Sequence, residues 1–119
     1  MRTTIVTADY RRLDQVVGNL VANALRHTPA GGTITLAGQA GEQSVVLAVS
    51  DTGAGIPPDE LPYIFDRFWS RGGEGKAGSG LGLAIARSIV LAHGGAIAAE
   101  SSPGQGTTVR VTLPARRPA

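Results

Sequence analysis

The sequence contains no cysteine, which excludes disulfide bonds and thiolate metal sites. Its two histidines, His27 and His93, are far apart along the chain, so a zinc site is not expected either. No apolar run approaches the roughly 20 residues that a membrane-spanning helix needs, and the opening MRTTIVTADY lacks the apolar core of a signal peptide. These absences indicate a soluble cytoplasmic domain without a structural metal.

A strong charge imbalance is missing as well. The formal net charge is +2, and the basic residues are scattered except for Arg11, Arg12 and the terminal ARRPA, so we expect no nucleic-acid partner. The chain has 119 residues, of which 42% are hydrophobic, and this is enough for one domain with a buried core. We predict a single domain over residues 1–114 and a disordered tail over residues 115–119.

Hydrophobic periodicity predicts the main elements. From Asp9, the proposed N-cap, apolar residues recur at helical spacing up to Pro29, and residues 81–93 form a second predicted helix. Residues 3–8 are predicted to form an edge strand. Two β-hairpins are predicted from the runs TITLAGQ with SVVLAVSD and AIAAES with TTVRVTLP. The fold class is therefore α+β, a two-layer α/β sandwich with helices covering one face of a mixed, mostly antiparallel sheet.

Two asparagines border the apolar stripe of the first helix. Asn19 and Asn23 are one turn apart, which brings their side chains next to each other. An amide oxygen is a hard neutral ligand that suits Mg²⁺, but buried amides are also commonly satisfied by neighbouring backbone. Both interpretations remain open at this point. For His27 and His93 we expect packing or helix capping.

An acidic residue ends the second strand of the first hairpin. Asp51 has the same parity as Val45, Leu47 and Val49, so the buried face of the strand ends in a carboxylate. Such a group needs a hydrogen-bond donor, and the exocyclic amine of a purine is one that fits. Alternatively, Asp51 caps the turn into TGAG.

The glycine-rich stretch before the second helix matches two phosphate-binding motifs only in part. Gly73, Gly75 and Gly78 fit G-x-G-x-x-G, but a dinucleotide-binding fingerprint directly follows a strand, and here IFDRFWSR precedes it. A Walker loop needs Ser or Thr after Gly-Lys, and Lys76 is followed by Ala77. What remains is a flap whose backbone N–H groups meet an anion at a helix start, or a flexible surface loop.

Four segments in order resemble the N, G1, F and G2 boxes of the catalytic ATP-binding domain of sensor histidine kinases, in the GHKL superfamily. They are NLVANALRHTP, DTGAGIP, IFDRFW and GSGLGLAIA, and the final SSPGQGTTVRVTLP is similar to the closing hairpin of that domain. The resemblance runs from about Asp9 to Pro114. It implies a Bergerat ATP-binding fold with a glycine-rich ATP lid.

The resemblance also implies roles for individual residues. Asn23 would ligate Mg²⁺, assisted by Asn19 at the metal or the phosphates, and Asp51 would accept a hydrogen bond from the adenine amine. The remaining implied nucleotide contacts are Gly53, Gly55 and Ile56 around the base, Thr107 in its water network, Arg26 and His27 at the ribose or phosphates, and Gly78, Ser79, Gly80, Leu81 and Gly82 at the phosphates. Lys76 or Arg67 would contact the γ-phosphate. His27 departs from the Tyr that the family most often has there.

One position separates members of the superfamily. The ATP-hydrolysing members have a Glu four residues before the metal-binding Asn, whereas this chain has Asn19, which cannot act as a base near neutral pH. The resemblance therefore implies phosphoryl transfer to a histidine. The alternatives are a GHKL serine kinase of the anti-sigma type and a nucleotide-binding module without transfer activity.

The resemblance implies partners too. The phosphoacceptor His of the family lies on a dimerisation helix hairpin, and neither HTPA nor HGGA matches its surroundings. We therefore expect an excised catalytic domain or half of a split kinase, which binds ATP but does not phosphorylate itself. Its partners would be a phosphoacceptor histidine domain and a downstream response regulator. This domain would make no membrane contact, even if it is the cytoplasmic part of a membrane-anchored sensor.

Overall fold

The computed structural model describes residues 10–41, 43–67, 69 and 81–114. The predicted strand over residues 3–8, the predicted N-cap Asp9 and the predicted tail lie outside these residues. In chain order the elements are α1 (Tyr10–His27), β1 (Ile34–Ala40), β2 (Ser44–Asp51), a 3₁₀ helix (Leu61–Tyr63), α2 (Gly82–Ala92), β3 (Ala96–Ser101) and β4 (Thr107–Pro114).

The four described strands form one sheet in the order β1-β2-β4-β3, and every pairing among them is antiparallel. β1 with β2 and β3 with β4 are the two hairpins that the sequence predicts. The β2–β4 pairing joins the hairpins, so the last of the described strands lies in the middle of the described sheet. This arrangement confirms the predicted α+β sandwich.

Helix α1 follows the predicted apolar spacing. Val16, Leu20 and Ala24 are buried on one side of it, while Gly18 on the opposite side is exposed. The hydroxyl of Thr28 donates to the carbonyl oxygen of Ala24 over 2.7 Å just beyond the last turn. The stripe therefore faces the sheet, and the helix ends where the sequence predicts.

Helix α2 has the same design over a shorter length. Leu83, Ala86, Ile89 and Val90 are its buried residues. A ring nitrogen of His93, Nδ1, lies 2.8 Å from the carbonyl oxygen of Ile89, which confirms the capping role expected for this histidine. Within the described residues, no helix is long and apolar enough to cross a membrane.

The core lies between the two helices and one face of the sheet. In β4 the buried residues alternate with less buried ones, as expected for a strand with one covered face. Residues directly opposite in the register share a face, so Val49 of β2, Val109 of β4 and Ala99 of β3 form one apolar row beneath the helices. The buried hydrophobic residues are Val16, Leu20, Ala24, Val49, Ile56, Ile64, Leu83, Ala86, Ile89, Val90, Val109, Val111 and Leu113.

Candidate functional site

Three polar residues follow one another along one side of α1. Asn19, Asn23 and His27 are spaced four residues apart, so they occupy successive turns over about 12 Å of the helix axis. Asn23, in the middle, is 7% exposed, and His27 at the helix end is half-buried. Because the stripe Val16–Leu20–Ala24 borders these residues, the packing of α1 on the sheet fixes the direction in which they point.

The amide of Asn23 has no hydrogen-bond partner among the described residues. Every fully buried side-chain nitrogen or oxygen in that part of the chain has a hydrogen-bond partner. Because the Asn23 amide has none, its polar atoms are not fully buried, and one edge of the amide is accessible. A largely buried amide with an accessible, unpartnered polar edge has the character of a ligand-binding group. The sequence left open whether backbone groups satisfy this amide, and none of the described backbone does.

Asn19 connects α1 to the start of α2. Its Nδ2 donates to the carbonyl oxygen of Gly82, the first residue of α2, over 3.1 Å. A Cβ on Gly82 would lie 3.9 Å from the Cβ and Cγ of Asn19, so the two helices approach each other closely here. The start of α2 at Gly82 therefore lies at the same edge of the domain as Asn19 of α1.

Asp51 ends β2 on the face of the sheet that the helices cover. It is 8% exposed and lies directly opposite Thr107 of β4, which is also 8% exposed. The backbone N–H of Gly53 donates to Oδ1 of Asp51 over 2.9 Å, so the predicted turn-capping role is present. The second oxygen of Asp51 accepts no hydrogen bond from the described residues. One carboxylate oxygen thus shapes the loop while the other is available to a ligand.

The loop after Asp51 runs so close to its neighbours that side chains are excluded at two positions. A Cβ on Gly53 would overlap the carbonyl oxygen of His27 at the end of α1, and a Cβ on Gly55 would overlap that of Ser102. Gly55 also has φ +79°, a conformation that favours glycine. The carboxylate of Asp51 is therefore held next to the C-terminal end of α1.

Ser101 is a residue of this edge that the sequence analysis missed. Its Oγ hydrogen-bonds with the backbone N–H of Ile56, with the carbonyl oxygen of Gly106 and with the hydroxyl of Thr107. The available signal was strand parity, because Ser101 has the parity of the half-buried Ile97 and Ala99 in β3. It identifies Ser101 as facing the helices, but not what it contacts.

The structure places the other predicted site residues as follows. Arg26 is exposed in the last turn of α1, Arg67 is exposed, Ile56 is buried, and Leu81 is half-buried at the N-cap of α2. Lys76, Gly78, Ser79 and Gly80 lie outside the described residues. Six predicted site residues therefore lie on or next to α1: Asn19, Asn23, Gly82, His27, Gly53 and Asp51. Three more lie near Asp51: Gly55, Ile56 and Thr107.

The side-chain groups at this edge that could bind a metal ion are oxygen donors. The described residues contain no cluster of three or more His, Cys, Asp or Glu side chains that could hold a metal ion. The amide oxygens of Asn19 and Asn23 are hard neutral donors, which Mg²⁺ accepts together with water and phosphate oxygens. These side chains fit a magnesium ion that is held jointly with a phosphorylated ligand.

Comparison with known proteins identifies the family of the chain. Residues 8–117 match the family model described as "Histidine kinase-, DNA gyrase B-, and HSP90-like ATPase". The chain is 46% identical over 110 residues to the sensor protein DivL of Caulobacter vibrioides, covering 92% of this chain and 14% of DivL. It is 41% identical over 119 residues to the sensor histidine kinase WalK of Bacillus subtilis, covering 95% of this chain and 19% of WalK. The chain thus spans less than a fifth of either relative.

Solved structures show the same fold. The mycobacterial sensor histidine kinase MprB superposes with a TM-score of 0.84 at 35% identity, covering 95% of this chain and 78% of that one. Full-length ShkA in complex with AMPPNP superposes with a TM-score of 0.85 at 34% identity, covering 98% of this chain and 24% of that one. The chain therefore belongs to the histidine kinase-, DNA gyrase B- and HSP90-like ATPase family, and it is a GHKL domain of the sensor histidine kinase type.

Proposed function

We propose that this domain binds Mg-ATP along the edge formed by α1, the loop after β2 and the start of α2, and transfers the γ-phosphoryl group to a histidine of a separate phosphoacceptor domain in two-component signal transduction. The observation that carries the proposal is a pair of buried polar side chains, Asn23 and Asp51, each with ligand-binding capacity that the described residues leave unused. The family match and the AMPPNP complex of ShkA support the choice of nucleotide.

Asp51 would recognise the base. Its second oxygen offers an acceptor in a buried position, which suits the exocyclic amine of adenine, while Gly53 and Gly55 let the loop pack closely against His27 and Ser102 and so fix the carboxylate. A hydrogen bond to a charged acceptor contributes about 1.5–3 kcal/mol. Arg26 and His27, at the end of α1, would contact the ribose or a phosphate.

Asn23 would hold the magnesium ion, with Asn19 assisting at the ion or the phosphates. When bound, the ion neutralises charge on the β- and γ-phosphate oxygens. Asn19 is already fixed by its hydrogen bond to Gly82, so the amide pair and the start of α2 would be preorganised relative to each other.

The remaining contacts would surround the triphosphate. Backbone N–H groups of Gly78, Ser79, Gly80, Leu81 and Gly82 would bind its oxygens at the positive end of the α2 dipole. Lys76 or Arg67 would place a cation near the γ-phosphate.

In the transfer step, the lone pair of an acceptor imidazole nitrogen forms a bond to the γ-phosphorus. The bond between that phosphorus and the β–γ bridging oxygen breaks, and its electron pair stays on ADP. The attacking nitrogen carries no proton, so this domain need not supply a base, which agrees with an asparagine rather than a glutamate at position 19. The proton on the other ring nitrogen stays on the positively charged phosphoimidazole or passes to a base of the acceptor domain.

The acceptor would be supplied by another segment of a longer protein or by a partner chain, since the chain spans only 14–19% of relatives such as DivL and WalK. A response regulator would then take the phosphoryl group from the histidine. Cytoplasmic placement follows from this role because ATP and response regulators are cytoplasmic.

Phosphotransfer in trans tests the proposal. The domain is mixed with Mg-[γ-³²P]ATP and the isolated dimerisation domain of a related sensor kinase, alongside the same acceptor with its histidine replaced by Gln. We expect label on the acceptor that depends on its histidine and is lost in mild acid. Acid-stable label on a serine would indicate the anti-sigma type of kinase, and ATP binding without transfer to any of several acceptors would indicate a binding module.

A further inference from the structure

Ser101 has three hydrogen-bond partners around a single hydroxyl group. The backbone N–H of Ile56 lies 2.7 Å from its Oγ, the carbonyl oxygen of Gly106 lies 2.9 Å away, and the Oγ1 of Thr107 lies 2.9 Å away. Asp51, Thr107 and Ser101 form one cross-strand row over β2, β4 and β3. The hydroxyl of Ser101 is thus the end of the polar row that contains Asp51.

The chemistry of the partners fixes where each proton lies. A hydroxyl has one proton to donate and two lone pairs that accept. The carbonyl oxygen of Gly106 can only accept, so it takes the proton of Ser101, whereas the N–H of Ile56 can only donate. The contact between Ser101 and Thr107 therefore uses the proton of Thr107. No other described hydrogen bond competes for this proton, because Thr107 has none to Asp51 or elsewhere.

The direction of this proton determines what Thr107 can offer a ligand. With its proton turned toward Ser101, the hydroxyl of Thr107 has only lone pairs to offer a ligand, and Thr107 lies directly opposite Asp51 in the strand register. Both side chains are more than nine-tenths buried, so water screens them little. Two neighbouring acceptors favour a group that carries hydrogen atoms, such as an amine, and disfavour an oxo group.

We propose that Ser101 is a positioning residue for base selection: it orients the Thr107 hydroxyl so that the site distinguishes a 6-amino purine from a 6-oxo purine. The inference rests on the proposed binding of ATP and adds a residue that never touches the nucleotide. If Ser101 only linked Ile56 to Gly106, its loss would weaken the binding of all purine nucleotides equally.

The test compares the affinities of ATP and inosine triphosphate, which has an oxo group at position 6, by calorimetry in wild type and Ser101→Ala. In the variant, the freed Thr107 proton can turn to the oxo group. Since one hydrogen bond is at stake, we expect the Kd ratio of inosine triphosphate to ATP to fall about 3- to 10-fold.

Two control variants accompany this measurement. Ser50→Ala removes a matched Ser–Thr pair, because Ser50 and Thr108 hydroxyls lie 2.9 Å apart in the neighbouring row, on the other face of the sheet. We expect it to leave the ratio unchanged. Ser101→Thr keeps the hydroxyl, and the open groove of about 360 Å³ that Ser101 lines has room for a methyl group, so we expect it to keep the wild-type ratio.

The outcomes separate this inference from the proposed function. Failure of wild type to bind ATP overturns the proposed function, and the inference falls with it. ATP binding by wild type with an unchanged ratio in Ser101→Ala overturns the inference alone. If Ser101→Ala does not fold, Thr107→Val decides: the inference expects weaker ATP binding with no loss for inosine triphosphate, and equal losses for both nucleotides contradict it.

Discussion

Asp51 and Thr107 face each other across β2 and β4, and both side chains are 8% exposed. The next pair on the same face, two residues further along each strand, is Val49 and Val109, which belong to the core. The hydrophobic face of the sheet thus changes to a polar one within a single pair. The site is an extension of the core, and its polar groups are positioned by the same packing.

Replacing Asp51 by Asn separates the two roles of the carboxylate. Asn keeps an oxygen for the N–H of Gly53, so we expect the midpoint of thermal unfolding to change little. It replaces the second oxygen by an amide group that cannot accept a hydrogen bond from an amine, and ATP affinity should fall about 10- to 100-fold. Calorimetric titration with Mg-ATP measures the affinity.

The matched control is Asp59→Asn, which removes the same charge from an exposed position. It should leave ATP affinity within about twofold of wild type, because a single solvated charge interacts weakly. Equal losses of affinity in both variants would argue against recognition of the base by Asp51.

Gly53→Ala should destabilise the domain. The added methyl group would overlap the carbonyl oxygen of His27, and that oxygen belongs to the backbone at the end of α1 and cannot simply move aside. We expect a loss of about 1–3 kcal/mol in the free energy of unfolding, typical of overpacking. Urea unfolding followed by circular dichroism measures it.

Gly18→Ala is the control for the effect of a methyl group as such. Gly18 lies within α1, and a methyl group there would meet no other part of the described chain within 4 Å, so alanine should stabilise the helix by about 0.5–1 kcal/mol. We therefore expect the two alanine substitutions to change the free energy of unfolding in opposite directions. A neutral or stabilising Gly53→Ala would contradict this expectation.

Ile64→Ala tests the contribution of the segment after the 3₁₀ helix to the core. Ile64 is 1% exposed, so truncation should reduce the free energy of unfolding by about 2–5 kcal/mol. Its neighbour Tyr63 is 56% exposed, and Tyr63→Ala should stay within about 0.5 kcal/mol of wild type. Similar losses at both positions would contradict the burial that the structure assigns to this segment.

Local patterns were sufficient to predict most of the described fold. The apolar spacing of Val16, Leu20 and Ala24 defines α1, and the alternation in TTVRVTLP defines β4, because each element has one buried face. Parity likewise placed Asp51 at the end of a buried face. The glycines after Asp51 were identified through the resemblance to the G1 box, and the structure adds that a side chain does not fit at Gly53 or Gly55.

Contacts between distant segments could not be predicted in the same way. Asn19 and Gly82 are 63 residues apart, and no local pattern reveals that the amide donates to that carbonyl. The role of Ser101 depends on the register of β3 with β4 and on the path of the loop at Ile56. The nucleotide-binding roles of all the predicted site residues remain predictions, and Lys76, Gly78, Ser79 and Gly80 also lie outside the described residues.

The central claim is that Asn23 holds a magnesium ion together with ATP, and the Mg²⁺ dependence of ATP binding tests it most directly. The Kd for ATP is measured with Mg²⁺ and with EDTA in wild type, in Asn23→Ala and in Gln15→Ala, an exposed amide of the same helix. We expect Mg²⁺ to tighten binding at least about tenfold in wild type and Gln15→Ala, equivalent to about 1.4 kcal/mol, and to have almost no effect in Asn23→Ala. An Asn23→Ala variant that binds ATP with the full wild-type gain from Mg²⁺ would contradict the account.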